Sequence, residues 1–342
     1  MVLTMGVGLF PTEPVARMRQ LARTAEELGY RNAWVGDSQN IWRDSSIVLG
    51  AAAFDTSRII LGTGVTNPVT RHRSLLASTW ASLHEATGGR VAMGLGAGDS
   101  ALFTMGLRPA RLADLERAVD ELRALFRGDE VVEDSSGAAY RLAYLEQPIR
   151  VPIYLGASGP KLLHLAGRVA DGVIVLAGTD PGFIRTALDR VEAGAKAAGR
   201  RLSDLHLVLW APTAIDPDPT AARDLVRAHV ARTVMRPVPS ELAPEQREAV
   251  ERIRTAYDYY QHMDVRAGHS ALVPDSLVDL FALAGTPQEC ATRVQEIAEL
   301  GIDQVSIIPY VAEHGDRAET MAAFAGIVSG IRSALPRGGG TA

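Results

Sequence analysis

Four short stretches hold residues whose types and spacing suit chemistry on a bound group. Gly156-Ala-Ser-Gly-Pro-Lys161 passes from an apolar run into an amphipathic one. Free N–H groups at a helix start, the Ser158 hydroxyl and the Lys161 ammonium suit one phosphate there, although a plain strand-to-helix turn explains the same residues. Gly94-Leu-Gly-Ala-Gly-Asp99 resembles part of a dinucleotide fingerprint. It lacks the third glycine at the required spacing, and no acidic residue closes a second strand about twenty residues on, so it is weak as a nicotinamide signature. Gly36-Asp-Ser-Gln-Asn-Ile-Trp42 and Gly62-Thr-Gly-Val-Thr-Asn-Pro-Val-Thr-Arg-His72 add more glycines and small hydroxyl residues. A large, flat, phosphate-bearing cofactor asks for this composition: close backbone approach, available N–H groups and few side chains in the way.

Other chemistries find little support. The eight histidines (His72, His84, His164, His206, His229, His262, His269 and His314) are scattered, with no His-Glu-x-x-His and no metal set at motif spacing. A lone helical histidine such as His84 or His164 reads as a partly buried surface residue. Neither a Gly-x-Ser-x-Gly elbow nor a Gly-x-x-x-x-Gly-Lys-Ser/Thr loop occurs. The single cysteine, Cys290, excludes an internal disulfide and a multi-cysteine zinc cage and fits a reducing compartment. The hard chemistry then falls to a cofactor, with the protein supplying placement and electrostatics.

The elements that must position these loops follow from periodicity. Compact apolar runs predict strands at Leu3–Phe10, Asn32–Gly36, Ile59–Val65, Arg90–Leu95, Ile153–Leu155, Gly172–Leu176, Leu205–Ala211 and Gln304–Ile308. Amphipathic stretches predict helices at Pro14–Leu28, Asp44–Phe54, Ser74–Thr87, Leu112–Phe126, Lys161–Val169, Pro181–Ala198, Thr220–Thr233, Pro287–Leu300 and Asp316–Leu335. Eight strands alternating with helices predict an α/β fold, a closed (β/α)8 TIM barrel forming one domain over 1–335. Its working face is the carboxyl end of the strands, where the four stretches above lie. Two insertions break the rhythm: a β-hairpin near 128–145, and a helical excursion near 235–285 too long for an ordinary connection and placed over one barrel mouth. The Gly-rich tail 336–342 is expected to fray.

The 342 residues are 47% hydrophobic and 22% charged with a net charge of -5, which gives no basic field for nucleic acid or an anionic membrane. The N-terminal Met1–Phe10 lacks the basic region of a signal peptide, and no uncharged apolar run reaches the ~18 residues of a spanning helix. A cytoplasmic protein acting on a small molecule is expected.

At these same loops the sequence resembles the bacterial luciferase-like superfamily, and within it the branch of methylenetetrahydromethanopterin reductase and relatives that use coenzyme F-420 (F420), a deazaflavin. The carrying stretches are Gly62–His72, Gly88–Asp99 and Tyr154–Leu163, extended by Ala170-Asp-Gly-Val173 and Phe281–Cys290. The resemblance runs in order over nearly the whole chain. It implies a barrel with the deazaflavin in the carboxyl-end mouth and a cis peptide at Gly64–Val65 behind the ring. Cofactor contacts are implied at Asp37, Gly64, Val65, Asn67, Ala97, Gly98 and Asp99, with the phosphate near Ala157, Ser158, Gly159, Lys161, Gly178 and Thr179. By analogy the protein is a homodimer.

One departure bears on mechanism. Many relatives carry Asp-His after the second strand, and this chain has Asp37-Ser38. A serine hydroxyl is a poor general acid beside imidazole, so, with Ser38 and Asp99 the catalytic candidates, the proton comes from Asp99, from Tyr260 or His262 of the long insertion, or from substrate and water. Trp42 either walls the ring pocket or caps a helix; Asp99 either meets substrate or caps the helix after it; one of Tyr257 and Tyr260 packs while the other meets substrate. The expected function is F420-dependent hydride transfer to or from a C=N, C=C or C=O carbon. The alternatives are a two-component FMN-dependent monooxygenase and a flavin-binding protein without turnover.

Overall fold

A computed structural model describes residues 3–133, 137–236, 242–261, 264 and 266–334. Strand β1 (Thr4–Leu9) leads to helix α1 (Val15–Glu27), β2 (Asn32–Val35) to α2 (Ser45–Ala53), and β3 (Ile60–Thr63) to α3 (Arg73–Thr87). β4 (Val91–Leu95) precedes a single-turn α4 (Ser100–Phe103) and α5 (Leu112–Arg127). The short strands β5 (Val131–Val132) and β6 (Ala139–Tyr140) pair antiparallel, which is the expected hairpin. Then follow β7 (Ile153–Ala157), α6 (Pro160–Val169), β8 (Gly172–Val175), α7 (Pro181–Ala197), β9 (His206–Ile215) and α8 (Pro219–Thr233). The chain ends with α9 (Pro244–Ala256), α10 (Asp275–Phe281), β10 (Leu283–Gly285), α11 (Pro287–Glu299), β11 (Gln304–Pro309) and α12 (Arg317–Ala334).

Eight of these strands close into a parallel barrel in the order β1-β2-β3-β4-β7-β8-β9-β11, with β11 returning to β1. Helices flank it, as the alternating pattern requires. Two expectations need correction. β9 continues past Ala211 to Ile215, because β10 pairs with its last residues, Leu283 opposite Thr213 and Gly285 opposite Ile215. The long insertion is accordingly not helical throughout: it ends in that strand.

The barrel interior is filled by Trp34, Ala92, Ile174, Val208, Trp210 and Ile308. Its polar members satisfy one another: Trp34 Nε1 donates to Gln304 Oε1 at 3.1 Å, and Gln304 Nε2 donates to Asn32 Oδ1 at 2.9 Å. Burying these groups unpaired would cost about 1–3 kcal/mol each. Helices α9 and α10 pack on α8 through a second apolar cluster that includes Val226, Val230, Ala249, Ile253, Leu277 and Phe281. The insertion thus fixes α8 against the barrel. Tail residues 336–342 lie outside the described residues.

Candidate active site

A cavity of about 260 Å³ opens at the carboxyl ends of the strands. That is slightly below the ~300–1,000 Å³ usual for ligand pockets, so it accommodates a ring system and leaves any long tail outside. It is lined by Gly64, Val65, Ala97, Gly98 and Ser158 from the loops after β3, β4 and β7, and by Phe10, Trp42, Trp210, His229, Arg232 and Arg236.

The peptide bond Gly64–Val65 is cis, as the resemblance implied. The neighbouring glycines also pack the end of β3. A Cβ at Gly94 would run into the Thr63 carbonyl, and Cβ atoms at Gly96 and Gly156 would meet the Val65 methyls at 2.8 and 2.9 Å. Gly96 and Gly156 line the cavity as well.

Asp37 lines the cavity with its side chain fully buried. Its Oδ2 accepts from Thr66 Oγ1 at 2.6 Å and from Arg71 Nη1. Arg71 also donates to Asp44 Oδ2 at 2.7 Å, and Asp44 caps α2 by accepting from Ser46 N–H at 2.8 Å. Burial pulls the Arg71 guanidinium down, but the Asp37 and Asp44 carboxylates more than reverse it, so Arg71 is held above its ordinary value. The other carboxylate oxygen of Asp37, Oδ1, is buried with no partner among the described residues. A buried acceptor left open is costly, and here it lies in the wall of the cavity.

Ser38 also lines the cavity, with its hydroxyl 2.6 Å from that of Ser100. Asn67 is buried, and its Oδ1 accepts from Val69 and Thr70 N–H at 3.0 and 2.9 Å, shaping the loop after β3. Among the described residues the N–H groups of Ala97 and Gly98 meet no acceptor. The same holds for the N–H groups of Ser158 and Gly159 and for the Ser158 hydroxyl, at the start of α6, where Gly159 caps without a side-chain hydrogen bond. Such a helix start is prepared for an anion.

Trp42 stacks on Phe10 with ring centroids 4.6 Å apart and planes 14° off parallel, which places it in the pocket wall. Asp99 Oδ2 accepts from Arg232 Nη2 and, at 3.2 Å, from Arg236 Nε. It therefore joins the β4 loop to α8 and the residues just beyond it, with two cationic partners.

Six predicted residues are not brought to the cavity, Gly159 at the start of α6 among them. Ala157 is fully buried within β7. Lys161 is exposed on α6. Gly178 packs against Leu280 and Phe281. Thr179 spends its N–H on the Leu280 carbonyl at 2.9 Å and its hydroxyl on Ala282 O and Arg293, so neither is left for a phosphate. Tyr260 is 81% exposed. His262 falls outside the described residues.

Sequence reasoning missed Phe10, Trp210, His229, Arg232 and Arg236. The last three recur at i, i+3 and i+7 along one face of α8 and just beyond its end, a polar stripe that could have marked them. His229 is buried, stacks 6.0 Å from Phe10 and meets the Tyr310 hydroxyl through Nδ1 at 2.9 Å. Burial pushes the Tyr310 phenol well above its ordinary value, so it keeps its proton and can donate to Nδ1. That assignment leaves the imidazole proton of neutral His229 on Nε2. No group of three or more potential metal ligands occurs among the described residues.

Comparison with known proteins places this geometry in context. The family of luciferase-like monooxygenases matches residues 3–304. The 5,10-methylenetetrahydromethanopterin reductase of Methanolobus tindarius is 34% identical over 308 residues, spanning 89% of this chain and 93% of that protein. An F420-dependent glucose-6-phosphate dehydrogenase of Nakamurella multipartita is 33% identical over 254 residues, 69% of this chain and 72% of that one. The solved structure of the coenzyme F420 dependent tetrahydromethanopterin reductase from Methanopyrus kandleri superposes with a TM-score of 0.78 at 26% identity, covering 97% of this chain and 99% of that one.

Proposed function

We propose that the chain, which belongs to the bacterial luciferase-like superfamily and within it to the F420-dependent, methylenetetrahydromethanopterin reductase-like branch, is itself an F420-dependent oxidoreductase acting on a small molecule. The observation that carries this reading is the near full-length likeness to F420-dependent reductases, joined to a cavity whose open polar groups match such a cofactor. When bound, a deazaflavin supplies or accepts hydride at a substrate C=N, C=C or C=O carbon. The residues present fit it. Asp37 Oδ1, the one carboxylate oxygen in the wall that is buried without a partner among the described residues, and the N–H groups of Ala97 and Gly98 would hold the polar edge of its ring. Ser158 and Gly159 would hold its phosphate at the start of α6. Val65, Trp42 and Phe10 line the cavity with apolar surface that excludes water.

His229 takes the place left by the missing histidine after Asp37: its imidazole exchanges the substrate proton, with Tyr310 setting its tautomer. Asp99, paired with two arginines, orients rather than protonates. The homodimer and the cytoplasmic location expected from the sequence belong to the same proposal. The family description favours one second reading, an FMN-dependent two-component monooxygenase. Anaerobic mixing of the protein with reduced F420 and a panel of imines, enones and ketones tests the choice. Oxidation of the deazaflavin by one of them is expected; oxygen consumption with reduced FMN, and no oxidation of F420 by any acceptor, would transfer the assignment to the monooxygenase.

A further inference from the structure

Two guanidiniums meet at the end of α8. Arg232 is 5% exposed at its side chain and Arg236 is 31% exposed, and both line the cavity. Both reach the same oxygen, Asp99 Oδ2, and no other hydrogen-bond acceptor for either side chain is found among the described residues. A guanidinium has five N–H donors in a planar fork, so each arginine keeps donors to spare. One carboxylate also balances only one of two positive charges. Burial, and after it the neighbouring charge of Arg232, pull the Arg236 guanidinium down to about 10, so Arg236 remains a cation at neutral pH, held close to Arg232 against their repulsion. The C-terminal carbonyls of α8 favour cations there, but they do not supply a second anion.

These arginines come from a different element than the anion-ready N–H groups at Ser158 and Gly159, though Ser158 lines the same cavity. Those belong to α6 after β7, whereas the arginines come from the helix that also brings His229 to the cavity. We propose that Arg232 and Arg236 form an oxyanion subsite on the substrate side of the cavity, and that the substrate carries a carboxylate or phosphate group bound there. Asp99 acts as a resident counter-ion that holds the fork open and shares it with the incoming anion. Naming the anion's bearer as substrate rests on the F420-dependent reading; the existence of the subsite does not.

Inorganic phosphate is the probe, followed by the fluorescence of Trp42 and Trp210, which both line the cavity. The full-length protein is titrated alone and loaded with F420, as wild type, Arg236→Gln and Arg236→Lys. Expected is a saturable change in the F420-loaded wild type, weakened about tenfold or more in Arg236→Gln, as loss of a charge-assisted hydrogen bond implies, and largely restored in Arg236→Lys. F420 affinity should stay within about twofold across the three. Phosphate binding that is equal in wild type and Arg236→Gln overturns the proposal. So does competition between phosphate and F420 joined to weaker F420 binding by Arg236→Gln, which would give the arginines to the cofactor's own tail. If the protein binds no F420, the cofactor reading falls, and the titration of the unloaded variants still decides the anion site.

Discussion

His229 enters the cavity beside Phe10 and is fixed by the Tyr310 hydroxyl at 2.9 Å, while Ser38 is tied to Ser100 at 2.6 Å. An imidazole oriented by a protonated phenol can exchange a proton; a buried serine pair is a poor general acid. We predict that His229→Gln lowers kcat about 10²-fold, the lower end of what general acid–base catalysis contributes, with F420 affinity nearly unchanged. Ser38→Ala should cost far less. Steady-state kinetics of both variants, with the cofactor affinity measured separately, checks this, and the opposite ranking would return the proton step to the loop after β2. Asp37 shows why side-chain partners must be traced one by one. Its carboxylate is half committed, to Thr66 and Arg71, and half open, and only the open half is available to a ligand.

The strands and helices were largely readable because each barrel strand is a compact apolar run and several of the loops at the carboxyl ends carry glycines. Asn32–Val35 and Val91–Leu95 fall within a residue of their predicted bounds. Pairings across long sequence separations were not readable. The extension of β9 to Ile215 depends on Leu283–Gly285, and the hydrogen bonds that occupy Thr179 run to Leu280 and Ala282. The α8 face carrying His229 looks like any amphipathic helix until the insertion pins it. The packing role of Gly94 at the end of β3 was not readable from the sequence, and it is testable. Gly94→Ala forces a methyl against the Thr63 carbonyl and should destabilise by about 1–3 kcal/mol. Gly159→Ala meets no atom within 4 Å and should be nearly neutral in a thermal melt. Equal melting temperatures for the two would mean the β3 end is not packed by these glycines.

At the other end of the β9 strand, His206 lies 3.3 Å from the Tyr154 hydroxyl, and burial lowers its imidazole below the ordinary value. The unfolded chain therefore binds this proton more readily, so stability present above about pH 6.5 is lost as pH falls toward the folded value. The denaturation midpoint should drop between pH 7 and 5, and His206→Gln should flatten that slope; an unchanged slope would remove His206 as its source.

Taken as one object, the molecule is an eight-stranded parallel barrel whose insertion does not lie idle over the mouth but braces the helix that completes the cavity. The loops after β4 and β7 offer open N–H groups and the loop after β2 a buried carboxylate oxygen, while the same cavity holds aromatics, an imidazole and two guanidiniums. A coenzyme with a polar ring edge and a phosphate suits the N–H groups and Asp37, and an oxidisable or reducible anion suits the guanidiniums. The most direct measurement is a fluorescence titration of the purified protein with F420 and, in parallel, with FMN. The account predicts tighter binding of the deazaflavin, and weaker binding of it when Asp37 is changed to asparagine. Equal affinity for the two cofactors, or a preference for FMN, would contradict it.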